Sequence, residues 1–90
     1  MKKNNVLKYV EKEEILNELQ YELICDFIKL RKDKHLTQQQ MADNAHIIRE
    51  TIAKIENRIV SPQINTLIRI LEPLGYTLKI EKIKNTKKNN

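Results

Sequence analysis

A mainly α fold is predicted for this 90-residue chain, and three observations predict it. Leucine and isoleucine dominate the apolar content while aromatic residues reach only 4%, a balance that favours helix packing over a β-sandwich. One glycine and two prolines leave little room for hairpin turns. Apolar residues recur at helical spacing over most of the chain. With 40% hydrophobic residues, the chain supports one small core and so one domain.

Met1 to Asn5 form a polar, basic lead that is expected to be loose. Val6 to Val10 is a short apolar patch that suits either a strand or a first helical turn. From Glu11 the period is helical, with Ile15, Leu16 and Leu19 on one side and Glu13, Glu14 and Glu18 on the other. Asn17 and Gln20 have the spacing of a capping box, so residues 12–34 read either as one long helix or as two with a break near residue 17, and the break is the favoured reading. Residues 1–20 are therefore read as a partly helical N-terminal extension. Leu23, Ile24, Phe27, Ile28 and Arg31 then form a helical stripe flanked by Cys25 and Leu30, ended by the polar stop Asp33, Lys34 and His35. Cys25 reads as a small core hydrophobe.

The stretch from Leu36 to Asn57, LTQQQMADNAHIIRETIAKIEN, reads as two short helices joined by a tight turn. Thr37 can cap the first helix, and Gln40, three residues on, can close a capping box. Met41, Ala42 and Ala45 supply its inward stripe. After a turn near His46, the inward stripe resumes with Ile47, Ile52 and Ile55. Between them stand Ile48, Arg49, Glu50, Thr51, Ala53 and Lys54, a mostly polar face able to reach a partner.

Arg58 to Ser61 make a loop, and Pro62 pre-sets a further helix with Ser61 as its expected cap. Ile64, Leu67, Ile68, Leu71 and Leu74 give that helix an apolar face. Pro73 cannot donate to the carbonyl of Arg69, so the last turn loosens before Gly75 ends it. Tyr76, Leu78 and Ile80 alternate with Thr77, Lys79 and Glu81, the period of a half-buried strand over residues 76–83. A lone strand needs a partner for its backbone groups: a second copy, the Val6 to Val10 patch, or another protein. Residues 84–90 read as a basic, disordered tail.

The net charge of +5 is a weak witness for nucleic-acid binding, because the excess sits in residues 76–90 and not in the motif. A single cysteine and two histidines offer neither a disulfide framework nor a metal site, and no cofactor is expected. His35 and His46 read as turn residues, since neither sits in a recognisable catalytic arrangement. Nothing supports an enzyme. No membrane span or signal peptide is legible, so a cytoplasmic protein is expected.

The segment from Arg31 to Leu78 is similar, without gaps, to the helix-turn-helix domain shared by phage repressors and small Xre-type regulators. The likeness rests on Arg31, Leu36, Thr37, Gln38, Ala42, Ile47, Thr51, Ile52, Ile55, Glu56, Asn57, Pro62, Thr66, Leu67, Leu74 and Gly75, and it covers just over half the chain. The acidic, leucine-rich segment before it and GYTLKIEKI after it resemble antitoxins of the HigA type, which repress their own operon and neutralise a ribosome-dependent mRNA endonuclease. A free-standing phage or mobile-element regulator without a toxin is the alternative.

That resemblance implies a lambda-repressor-like bundle of four or five helices, here with an added N-terminal helix and a C-terminal β-strand, and with residues 21–75 as the DNA-binding domain. It implies a homodimer on a double-stranded DNA operator. Base contacts would come from Arg49, Glu50, Ala53 and Lys54, backbone contacts from Gln38, Thr51 and Asn57, and a structural salt bridge from Arg31 and Glu56. Arg49 suits guanine O6 and N7, and an exposed Ile48 suits a thymine methyl. Three departures stand out: His46 and Arg58 occupy common glycine positions, and Ile48 replaces the usual serine or threonine cap. Arg58 would add a phosphate contact. Tyr76, Leu78 and Ile80 would pair with a copy or a partner, and a small toxin would be that partner.

Overall fold

A computed structural model describes the backbone of residues 2–84 and the side chains of residues 11–84. Four α-helices follow in order: α1 (Lys2–Asp33), α2 (Gln38–Ala45), α3 (Arg49–Glu56) and α4 (Ile64–Leu71), the last tightening into a 3-10 turn over Glu72–Leu74. Helix α2 packs on α3 and α4, and α1 packs on α3. The core is built from Ile24 and Phe27 of α1, Met41, Ala42 and Ala45 of α2, Ile52 and Ile55 of α3, and Leu67, Ile70 and Leu71 of α4. Met41, Ile52, Ile55 and Ile70 are wholly sequestered, each such burial stabilising by about 1.5–3 kcal/mol.

The break expected near residue 17 is absent, because α1 runs unbroken for 32 residues. The extension is thus the first half of α1 and not a separate, added helix; residues 2–5 of the lead and the Val6 to Val10 patch lie inside it. The first 61 residues contain neither glycine nor proline, and without a breaker the Asn17 cap does not displace the continuous helical bonds. The packed second half nucleates the helix, so the first half forms by propagation alone. Every side chain from Glu11 to Leu23 is exposed, with Tyr21 meeting the Arg58 guanidinium of the bundle. The radius of gyration is accordingly 16.1 Å, against about 12 Å for a compact chain of this length.

All four helices end in the same hydrogen-bonded turn. Leu36 N–H donates to Arg31 O at 3.1 Å and His35 N–H to Lys32 O at 2.9 Å; the pattern repeats as Ile47 to Ala42 and His46 to Asp43, as Ile59 to Lys54 and Arg58 to Ile55, and as Tyr76 to Leu71 and Gly75 to Glu72. These are Schellman motifs, which satisfy the last free carbonyls and require a left-handed residue. Gly75 takes that position at φ 85°, but His35, His46 and Arg58 take it at φ 58°, 59° and 58°. Three of the four stops therefore tolerate some strain that glycine would relieve.

Several expectations are corrected here. Helix α4 starts at Ile64 behind an uncapped Gln63, two residues later than a Ser61 cap would place it. Its buried set is Leu67, Ile70 and Leu71, while Ile64 and Ile68 are exposed; the neighbouring α2 decides which stripe turns inward. Cys25 is exposed, because Ile24 and Phe27 occupy the face of α1 that meets the core. Among the described residues no strand forms, and Tyr76–Lys84 has no regular structure. The Val6 to Val10 patch that would have paired with it within the chain is consumed by α1. Leu78 still packs against the core, whereas Tyr76 is half exposed and Ile80 is 97% exposed. The expected basic tail lies outside the described residues apart from Lys84.

Candidate nucleic-acid interface

Helix α2 is set by its cap. The Thr37 hydroxyl accepts from the Gln40 backbone N–H at 3.0 Å and the Gln40 side chain accepts from the Thr37 N–H at 2.9 Å, a complete capping box. This fixes Gln38 as the first helical residue. His46 then reverses the chain in its left-handed conformation, half-buried Ile47 anchors the turn, and Ile48 opens α3 in an extended conformation.

Helix α3 begins at some energetic cost. Ile48 offers no side-chain cap; its carbonyl accepts from the Thr51 N–H at 3.0 Å, and its side chain has no oxygen for the other N–H groups of this end. Arg49, a cation, occupies the first helical position, where the helix dipole disfavours it. The next residue, Glu50, is an anion in the same turn, where the dipole favours it, so this uncapped, solvent-facing start carries one charge of each sign. Changing Ile48 to serine is expected to raise stability by about 1 kcal/mol, read as a higher denaturant midpoint. No gain would mean that another group already satisfies those donors.

One side-chain relay runs through the two motif helices. The Arg31 guanidinium grips the Glu56 carboxylate with Nε to Oε2 at 2.7 Å and Nη2 to Oε1 at 3.1 Å, and its Nη1 donates to the Leu36 carbonyl at 2.8 Å. Both side chains of the pair are largely withdrawn from solvent, 12% and 7% exposed. Glu56 Oε1 also accepts from Gln38 Nε2 at 3.0 Å, and Gln38 Oε1 accepts from Arg49 Nη1 at 3.1 Å. Arg49 is thus tethered through one of its five N–H donors.

The remaining residues expected at the site divide cleanly. Glu50 and Lys54 are exposed, Thr51 and Ala53 are half-buried on the same short helix, and Ile48 is 65% exposed. Glu50 and Lys54, although four apart, form no ion pair among the described residues. Asn57 is exposed just past α3. Arg58 lies with its guanidinium 4.8 Å from the centroid of the Tyr21 ring on α1, which ties the end of α3 to the long helix. Tyr76, Leu78 and Ile80 lie apart from this face. The link from Gln38 to Glu56 was not legible in the sequence, because it joins residues 18 apart whose approach depends on how α2 meets α3.

Among the described residues no group of histidines, cysteines and carboxylates is placed to hold a metal ion, and no helix is long and apolar enough to cross a membrane.

Comparison with known proteins agrees with this geometry. A chain from a toxin-antitoxin module of Streptococcus pneumoniae superposes with a TM-score of 0.64 at 28% identity, covering 81% of each chain. An uncharacterised HTH-type transcriptional regulator of Haemophilus influenzae is 36% identical over 62 residues, which span 69% of this chain and 63% of that protein's length. A helix-turn-helix family model matches residues 27–80, from Phe27 in the core half of α1 to Ile80 beyond α4. On that match, extending over more than half its length and over every element of the bundle, the chain belongs to the Xre-type helix-turn-helix family.

Proposed function

We propose that this protein is a homodimeric, sequence-specific DNA-binding repressor and the antitoxin of a toxin-antitoxin pair. It represses its own operon and neutralises a ribosome-dependent mRNA endonuclease. The observation that carries the DNA reading is the face of α3, where Arg49 is held by the Gln38–Glu56–Arg31 relay beside the uncommitted side chains of Glu50 and Lys54. In this reading α3 lies in the major groove. Arg49, Glu50, Ala53, Lys54 and Ile48 meet base edges, and Gln38, Thr51, Asn57 and Arg58 meet the backbone.

Two observations support the antitoxin part. The toxin-antitoxin chain from Streptococcus pneumoniae is alike over most of both lengths. The projecting half of α1 exposes Ile15, Leu16, Leu19 and Leu23 among six acidic residues and one lysine between residues 11 and 26. A basic protein with an apolar ridge complements that arm. At its base lies an apolar groove of about 200 Å³ lined in part by Leu23, Phe27, Leu30, Leu71 and Leu78. The likeness to the Haemophilus regulator favours the second reading, a transcriptional regulator that acts without a toxin.

The test is a mobility-shift titration of the full chain on the DNA upstream of its own gene, together with co-expression beside the adjacent reading frame. Salt-dependent binding of that DNA and rescue from a toxic neighbour are expected. Deleting residues 1–20 is expected to abolish rescue and leave DNA binding. Binding without any toxic neighbour supports the second reading, and failure to prefer that DNA over an unrelated duplex overturns both.

A further inference from the structure

Ahead of its core residues, α1 carries an apolar stripe: Ile15, Leu19 and Leu23 stand four apart and so lie one above another, with Leu16 beside them, all between 36% and 49% exposed. Charge is sorted along the same helix. Residues 2–12 hold four lysines and one glutamate, whereas residues 13–26 hold five acidic residues and no basic one. Two further apolar features flank the stripe. The patch Val6 to Val10 precedes it, and the groove lined on the α1 side by Leu23, Ile24, Phe27 and Leu30 follows it.

We infer that two copies of the chain pair antiparallel through α1, about a two-fold axis beside residue 17. The inference rests on the homodimeric reading above and gives it a surface. In a two-fold contact, if one residue faces a second on the copy, then that second residue faces the first. Ile15 then faces Leu19 of the copy, and Lys12 faces Glu22 of the copy. The same register sets residues 6–10 of one helix against residues 24–28 of the other, which brings the first apolar patch over the groove. A single axis thus matches apolar to apolar at the centre and at both ends, with opposite charges in between.

Charge decides both the occupant and its direction. A parallel pair would set the acidic stretch against itself. A basic toxin answers that stretch alone, whereas a copy turned end for end also answers the lysines. Each bundle keeps its own α3, so the pairing sets how many DNA-binding domains arrive together and not whether one of them binds. A toxin that takes the stripe displaces the copy.

Sedimentation equilibrium of the full chain, without DNA or toxin, tests the contact, and cross-linking tests its direction. The wild type is expected to be a dimer at micromolar concentration. Leu19→Glu is expected to weaken it by about 100-fold, because it buries a charge twice beside the axis. Its circular dichroism is expected to match the wild type, since Leu19 already meets solvent in the single chain. Lys12→Glu is expected to weaken the dimer by about tenfold at low salt, and adding Glu22→Lys to restore it. In a Cys25→Ser background, Lys12→Cys chains mixed with Glu22→Cys chains are expected to form a mixed disulfide under mild oxidation. Neither variant is expected to link with itself, since ten helical residues hold the two sulfurs about 15 Å apart, beyond disulfide reach.

Three results overturn the inference: a monomeric wild type, a Leu19→Glu variant that dimerises like the wild type, or a mixed disulfide that does not exceed the self-linked ones. A chain that is monomeric alone and binds the product of the neighbouring gene through α1 meets the first of these and leaves the stripe to the toxin. Because no DNA is present, failure here is separate from failure of the DNA-binding reading, which the mobility shift decides on its own.

Discussion

Replacing Glu56 with alanine is expected to destabilise the fold by about 3–5 kcal/mol, because it strands the Arg31 guanidinium in a site where it is mostly shielded from water. The pair is bidentate at 2.7 and 3.1 Å, and it links residues 25 apart, one at the end of α1 and one at the end of α3. Arg31→Ala should cost a similar amount, with an added penalty for the Leu36 carbonyl that it also serves. Such a loss is a large share of the roughly 5–15 kcal/mol of a typical domain. It should appear as a lowered urea midpoint at unchanged slope. Replacing both partners with leucine or methionine should recover most of it, since the burial cost then vanishes with the charges. A loss below about 1 kcal/mol for each single change would show the pair behaving as an exposed one.

Arg49→Ala is expected to weaken operator binding by about 1–3 kcal/mol and to relax the base preference at one position of each half-site. The relay adds a sharper consequence. Gln38 holds Arg49 through its carbonyl and is itself held by Glu56, so Gln38→Ala should reproduce part of the specificity loss at that same base pair. Selection from a randomised duplex pool at matched salt, followed by sequencing, reads both variants. If Arg49→Ala enriched the same sequences as the wild type, the base-reading face would have to be assigned elsewhere. If Gln38→Ala weakened all sequences alike, Gln38 would be a phosphate contact only.

What was legible beforehand shares one property: its cause is local. The Thr37–Gln40 capping box spans four residues, the left-handed turn at His46 follows from the helix that it ends, and the stripes of Met41, Ala42, Ala45, Ile52 and Ile55 follow from helical period. Pro73 and Gly75 close α4 as their backbone chemistry requires. The missing cap at Ile48 was equally plain, since an aliphatic side chain has no oxygen to offer.

The misreadings share the opposite property. Whether Asn17 interrupts α1 depends on the stability of the packed half that nucleates the helix. Whether Ile64 or Ile70 is buried depends on where α2 lies against α4. Cys25 is exposed because its neighbours Ile24 and Phe27 claim the contact. Tyr76 to Ile83 alternates like a strand, yet a strand exists only with a second one beside it, and α1 has taken up the one segment of this chain that might have served. By itself the sequence determined the helices, their stops and the two-helix motif, because backbone capping and apolar period act within a few residues. Only the tertiary structure decided the continuity of the long arm, the face of α4 left in solvent, and the relay from Arg31 to Arg49, because each depends on groups distant in sequence being brought within hydrogen-bonding or packing distance.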